Sequence, residues 1–360
     1  MNILYLLFSF TTGGTERLVT DICNEMVKRD HQVHLYVVND LYDQTMLHSL
    51  DPRIRVQLQK RPVGGGGKLQ TLLKIANYMR KNRIQVVHCN SLDAPELLLL
   101  KPLLCPGAKV LYTVHGMHQM CRKSRLHVLL RNCLCHRVIA ISQCVKADIL
   151  AAGIRENKVV TIPNAIDLSR FSPTAKTLDP AAPVIGNVAR IQPQVKGQDV
   201  LIRAIALLKK EYPHIRCLFA GAPASNDPQA LTELTDLTAQ LGLTENITFV
   251  GNVTDVPGFL SGLDIFALPS RSEGFGISLV EAMTMGIPCI ASDLEGPAEV
   301  LEQGKYGQLF PSQDPQALAD GIADMLRSYD TCLARSWESM TYVQSTYHIR
   351  HMCDQLEALI

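Results

Sequence analysis

Short apolar runs alternate along the chain with amphipathic stretches whose apolar positions recur every three to four residues. Apolar runs of four to six residues bounded by turn formers predict strands buried on both faces. The amphipathic stretches between them predict crossover helices, and the alternation as a whole predicts parallel sheets. In the first half the predicted strands are 3–8, 33–38, 85–89, 110–114, 138–141 and 159–162, with helices over 15–29, 69–81 and 126–134. Four consecutive glycines within 62–69 predict a loop, since glycine loses the most backbone freedom in a regular element.

The pattern breaks over 163–183, which carries four prolines and no clear periodicity and is read as the domain linker. It then restarts, with strands predicted at 184–188, 216–220, 247–250, 265–268, 288–291 and 307–310 and helices at 198–211, 228–241 and 277–285. The region 315–360 reads as helical. The expected architecture is α/β: two Rossmann-like, doubly wound domains facing a central cleft. The first spans 1–170 and the second 171–340, and 341–360 forms a C-terminal helix packing back on the first. Ligands of open parallel sheets sit beyond the carboxyl ends of the strands. No fixed-period repeat is present, which excludes solenoids and propellers.

Composition narrows the function classes. The 360 residues have a net charge of +1, which argues against a nucleic-acid partner for the chain as a whole. Residues 1–170 hold 23 Lys and Arg against 12 Asp and Glu, a net +11, whereas 171–360 hold 12 against 22, a net −10. That asymmetry suits two domains with different partners. Eleven cysteines are scattered rather than paired at ligand spacing, and several, such as Cys217 and Cys289, lie in apolar runs. This favours a reducing cytoplasm over a disulfide framework. Cys133, Cys135 and His136 have no second pair at ligand spacing, so no metal site is expected. The apolar stretch 97–104 is interrupted by Lys101 and Pro102, far short of a membrane span. The opening NILYLLFSF has no basic segment before it and reads as a buried strand rather than a leader.

Four stretches carry candidate chemistry. The first is LPSRSEGFGISLVEAM, in which a strand ends near Pro269, a glycine loop follows and a helix begins near Ile277. Unpaired amides at such a helix start carry the positive end of the dipole and can hold phosphate or sugar oxygens. Glu281 lies about 7 Å further along at ~1.5 Å per residue. Glu273 and Glu281, with amides between them, suit a ligand with hydroxyls at both ends and negative charge in the middle. A nucleoside diphosphate sugar has that form; a helix-start acid and a solvated face are the plainer alternative. The second is NVARIQPQVKG, where Arg190 follows a strand and Lys196 precedes a helix. Such cations can absorb the charge of a departing diphosphate. No Asp-x-Asp cluster stands at a strand end to hold a metal. The third holds Gly13 and Gly14 after the first strand, and the fourth places His115 at the end of the strand LYTV.

Taken together, GGTER, TVHG, TIPNAID, NVARIQPQVKG and SEGFGISLVEAM resemble the retaining GT-B glycosyltransferases of the family 4 group (glycosyl transferases group 1). The resemblance runs from residue 13 to about residue 299 and is most specific over 272–283. It implies that Arg190 and Lys196 bind the donor diphosphate, and that Glu273 with the amides of Gly274, Phe275 and Gly276 holds the transferred sugar and the phosphate. Glu281 would bind the ribose hydroxyls. Gly13 and Gly14 would meet the phosphate and sugar from the other domain, and His115 would contact the sugar near the reacting carbon. His115, Arg190, Lys196 and Glu273 are thus the expected catalytic residues. The sequence departs from the family pattern in Ala189, where glycine is commoner, and in a slightly long spacing to Lys196.

The expected activity is metal-independent, retaining transfer from a nucleotide-sugar, UDP-linked by preference, to a glycan or lipid-linked acceptor in polysaccharide or glycoconjugate synthesis. No cofactor is expected. Arg122, Lys123, Arg125, Arg131 and Arg137 surround the apolar positions of 126–134, compatible with a helix resting on anionic lipid. The expected location is cytoplasmic and peripheral on the membrane's inner face. An epimerase or hydrolase on the same scaffold, or a silent sugar-binding subunit, stands as an alternative. A nicotinamide-dependent enzyme would use Asp40 after the second strand, but the first loop lacks Gly-x-Gly-x-x-Gly.

Overall fold

The computed structural model describes residues 1–120, 123–173, 177–224 and 227–360. Thirteen strands among these residues form two wholly parallel sheets.

The first sheet contains β1 (Asn2–Leu7), β2 (Gln32–Asn39), β3 (Arg55–Arg61), β4 (Val86–Cys89), β5 (Lys109–Val114), β6 (Arg137–Ala140) and β7 (Val159–Thr161), in the order β3-β2-β1-β4-β5-β6-β7. Connections run outward in both directions from β1 and β4, so the carboxyl ends of those two strands flank a topological switch point. Ile3 to Leu7 are buried without interruption, as expected of a strand covered on both faces. The sequence reading omits β3. RVQLQKR alternates apolar with long polar residues and stays partly exposed at the sheet edge, where charged side chains are tolerated.

The second sheet contains β8 (Val184–Val188), β9 (Arg216–Ala220), β10 (Ile247–Gly251), β11 (Ile265–Leu268), β12 (Cys289–Ser292) and β13 (Gln308–Phe310), in the order β10-β9-β8-β11-β12-β13. Its switch point lies between β8 and β11. Ile185, Phe219, Ile265 and Ile290 pack with Leu201, Ile205, Leu318 and Ile322 of the helices Gln198–Leu208 and Pro315–Arg327 to form its core.

The chain divides into Met1–Ala165 with Ile349–Ile360, and Ile166–His348. The sequence pattern places these divisions after residues 170 and 340 instead. Most of the proline-rich stretch expected to be a linker belongs to the second unit, and Ile166 forms a parallel bridge with His348 there. In the first unit the helix Ile349–Glu357 buries Ile349, Met352, Cys353 and Leu356. Arg29, at the end of the helix Gly14–Lys28, pairs with Asp354 at 2.7 Å and Glu357 at 2.6 Å, and His31 meets Glu357 at 2.7 Å. Every described cysteine is free. Among the described residues, no helix is long and apolar enough to cross a membrane.

Candidate active site

In the second unit the site is built on the carboxyl ends of β8 and β11. After β8 the chain forms a short helix, Pro193–Lys196, and turns at Gly197 into the helix Gln198–Leu208. Gly197 has φ +65°, and a Cβ there would stand 1.9 Å from the Pro269 carbonyl oxygen. Only glycine meets both demands, left-handed backbone and near-contact with another chain segment. The turn is thereby pressed against the end of β11, which places Lys196 beside the loop that follows Pro269.

Lys196 Nζ donates to Glu273 Oε2 at 2.7 Å, and Ser270 Oγ donates to the same oxygen at 3.4 Å. The sequence reading takes Lys196 as a cation facing a ligand; the structure adds its carboxylate partner. Both side chains keep some exposure, 24% and 15%, so an ammonium with three donors retains capacity for a ligand. Arg190 is exposed and has no ion pair among the described residues. Its carbonyl accepts from the buried Gln198 Nε2 at 2.9 Å, fixing the backbone that carries it.

The loop 269–276 ends in Gly276 at φ +101°, which caps the helix Ile277–Thr284 without a side-chain hydrogen bond. The first amides of that helix are open to an anion. From below, Gly296 lets another helix approach, since a Cβ there would stand 2.6 Å from the Glu273 carbonyl oxygen. Phe275 contributes only its backbone, because its side chain is buried at 2% exposure. Glu281 lies one turn into the helix and is 7% exposed. A solvated face is therefore not its environment.

Arg271 is a residue that sequence reasoning missed. Its guanidinium makes a two-pronged contact with Asp199, at 2.6 and 2.7 Å, and also donates to the Pro193 carbonyl at 2.6 Å. Its amide donates to the Val195 carbonyl at 2.8 Å. Planar bidentate pairing holds geometry as well as charge, so Arg271 ties the Lys196 turn to the Glu273 loop. The only signal in the sequence was a cation two residues before Glu273.

In the first unit Gly13 is the extended cap of the helix Gly14–Lys28, again without a side-chain hydrogen bond, and Gly14 is exposed. Both follow β1. His115 follows β5, and its Nε2 lies 3.2 Å from the Oδ1 of buried Asn90, which follows β4. Asn90 Nδ2 in turn donates to the His88 carbonyl at 3.3 Å. Burial pushes His115 down to about 4, so the imidazole is neutral at physiological pH and Nε2 carries the proton given to Asn90. Gly13, Gly14 and His115 thus share the carboxyl edge of one sheet, and Arg190, Lys196, Glu273, Gly274, Phe275, Gly276 and Glu281 belong to the other unit.

The expected basic helix is corrected in part. Arg131 is fully buried on Arg125–Leu134, paired with Glu96 at 2.9 Å and donating to the Leu92 carbonyl at 2.7 Å. Lys123 is engaged by Asp93. Arg125 is exposed beside Leu126 and Leu129, which are 62% and 54% exposed. Arg122 and Cys121 lie outside the described residues. Helical spacing shows which residues share a face; it does not show which face turns inward.

Two doubly wound parallel domains with cations, an acid and open amides at the switch point define a GT-B glycosyltransferase fold. HepE of Anabaena, solved with UDP and glucose, shares that fold with a TM-score of 0.86 and 23% identity over 99% of this chain and 98% of its own. Residues 170–338 match the family described as glycosyl transferases group 1, and residues 12–170 match glycosyltransferase family 4. The chain belongs to this group of glycosyltransferases.

A D-inositol 3-phosphate glycosyltransferase of Nocardia farcinica is 31% identical over 49% of this chain and 42% of its own length. The lipopolysaccharide core biosynthesis mannosyltransferase LpsB of Rhizobium meliloti is 27% identical over 59% and 64%. The chain therefore spans less than two thirds of either relative. Family membership leaves no support for the nicotinamide reading of Asp40.

Proposed function

We propose that this protein transfers a glycosyl group from a nucleoside diphosphate sugar, UDP-linked by preference, to a hydroxyl of a glycan or lipid-linked acceptor. The observation that carries the proposal is the Lys196–Glu273 pair, held at 2.7 Å beside an uncapped helix start. Such a pair presents a cation to phosphate and a carboxylate to sugar hydroxyls. Support also comes from the UDP and glucose bound to HepE and from the mannosyltransferase assignment of LpsB.

In this reading Arg190 and Lys196 bind the diphosphate and stabilise it as the glycosidic bond breaks. The amides of Gly274, Phe275 and Gly276 take phosphate and sugar oxygens, Glu273 accepts from sugar hydroxyls and Glu281 from the ribose. Gly13 and Gly14 admit the donor from the other unit, and neutral His115 contacts the sugar. The leaving phosphate accepts the acceptor's proton on the face it departs from, so the anomeric configuration is retained. No metal ion and no cofactor enter the scheme. The free cysteines support a reducing cytoplasm, and the exposed Arg125, Leu126 and Leu129 support a place at the membrane's inner face.

A thermal-shift panel of UDP-, GDP- and ADP-sugars tests the donor class, since a ligand of the folded form raises its melting temperature. NMR of the product's anomeric proton tests retention, and analysis without acceptor separates transfer from hydrolysis or epimerisation. No shift with any sugar nucleotide would overturn the proposal. Failure to float with anionic vesicles at low salt would remove the membrane assignment.

A further inference from the structure

The loop that offers its amides to the donor is anchored through a ring. Phe275 sets its side chain edge-on against Tyr347, with centroids 5.3 Å apart and planes at 85°. Tyr347 is itself buried at 3% exposure. Its ring meets Tyr342 at 5.6 Å and 87°, their hydroxyls are 3.1 Å apart, and Tyr342 stacks on Tyr306 at 4.7 Å. The backbone of Tyr347 has a separate contact. Its carbonyl accepts the Ile166 amide at 3.0 Å, next to the Ile166–His348 bridge. Ile166 and His348 are the first and last residues of the second unit. One residue therefore touches the amide loop through its ring and the first chain crossing, at Ile166, through its carbonyl.

We infer that Tyr347 is a positioning residue for the Gly274–Gly276 amides and carries the state of that loop to Ile166, where the chain enters the second unit. The inference rests on the reading of the loop as a nucleoside diphosphate site. A diphosphate drawn onto these amides fixes Phe275, whose ring sits in a close-packed interior and moves only with its neighbours. Edge-to-face rings hold a preferred geometry, so fixing Phe275 restricts Tyr347. The amide of Ile166 exchanges with solvent through local opening, and restricting its acceptor makes that opening rarer.

The test combines UDP calorimetry on the full chain with hydrogen exchange of the peptide containing Ile166, with and without UDP. In the wild type, UDP slows exchange at Ile166. Tyr347→Phe keeps the ring edge and loses only the hydroxyl, so its UDP affinity stays within about twofold and the slowing persists. Tyr347→Leu weakens UDP binding about fivefold to tenfold and removes the slowing, while kcat at saturating donor changes less than KM. Phe275→Leu produces the same pair of effects from the other side of the contact and covers the case in which Tyr347→Leu does not fold. Leucine variants that bind UDP like the wild type, or that keep the slowing, overturn the inference alone. A wild-type protein that binds neither UDP, GDP nor ADP overturns the donor reading as well.

Discussion

Replacing Gly197 with alanine would place a methyl group 1.9 Å from the Pro269 carbonyl oxygen, and that atom pair has to separate to at least 3.0 Å. Two costs add. A left-handed backbone costs an L-residue about 1–2 kcal/mol. Displacing packed backbone costs about 1–3 kcal/mol more by analogy with overpacked cores. A loss of about 2–5 kcal/mol corresponds to a fall in melting temperature of about 4–20 °C for a unit of this size. The displaced element carries Lys196, so its 2.7 Å contact with Glu273 opens as well. A misplacement of about 1 Å near the chemistry costs up to about 10²-fold in rate. Gly242 supplies the control: it has φ +66°, against +65° for Gly197, and a Cβ added there would meet nothing within 4 Å. Gly242→Ala therefore isolates the backbone term, with a small loss of stability and unchanged kcat/KM. Differential scanning fluorimetry and a nucleotide-release assay read both variants. The reasoning fails if Gly197→Ala melts and turns over like Gly242→Ala.

Four further outcomes are expected. Lys196→Ala lowers kcat by about 10²-fold or more if its charge stabilises the departing diphosphate, and steady-state kinetics showing unchanged kcat would exclude that role. Arg271→Ala breaks the tie to Asp199 and raises donor KM about tenfold, a rough figure for one misplaced contact network; an unaltered KM would show that the Lys196 turn holds its place without it. Dialysis against EDTA leaves turnover intact, whereas loss of activity restored by a divalent ion would refute metal-free transfer. Burial alone would raise the Glu357 carboxyl, but hydrogen bonds from His31 and Arg29 outweigh it and hold it below its ordinary value of 4.5. A depressed acid stabilises above its unfolded value and loses that contribution as pH falls through the folded one. Acid titration monitored by fluorescence should thus show Glu357→Gln to be destabilised near pH 7 and flatter than the wild type below pH 4.5.

Much of the fold was legible because doubly buried strands advertise themselves as apolar runs. Every strand of the second sheet was visible as an apolar run, including the edge strands β10 and β13, which are only partly buried. The exception in the first sheet, β3, pairs on one side only and keeps Arg55, Gln57, Gln59 and Arg61 in a polar alternation that resembles a loop. The donor loop was legible from Gly274, Gly276 and the two glutamates, since each glycine marks a place where backbone meets something closely. Arg271 and Asp199 were not legible, because their bidentate contact joins elements far apart in sequence and no local spacing encodes it. Arg131 was misread for a related reason. A cation on an amphipathic helix looks solvated until its tertiary partner, here Glu96, is known.

The division of the chain has a consequence for how the molecule is made. Residues 349–360 complete the first unit, yet they are translated only after the whole second unit has been synthesised. The nascent amino-terminal sheet must therefore wait, with one flank of its Gly14–Lys28 helix uncovered, while its neighbour is produced. Vectorial folding, in which each domain closes as it leaves the ribosome, can complete this unit only once that segment emerges. A fragment designed to fold as the first unit alone would need the terminal segment grafted back, joined to Ala165 by a linker in place of everything between.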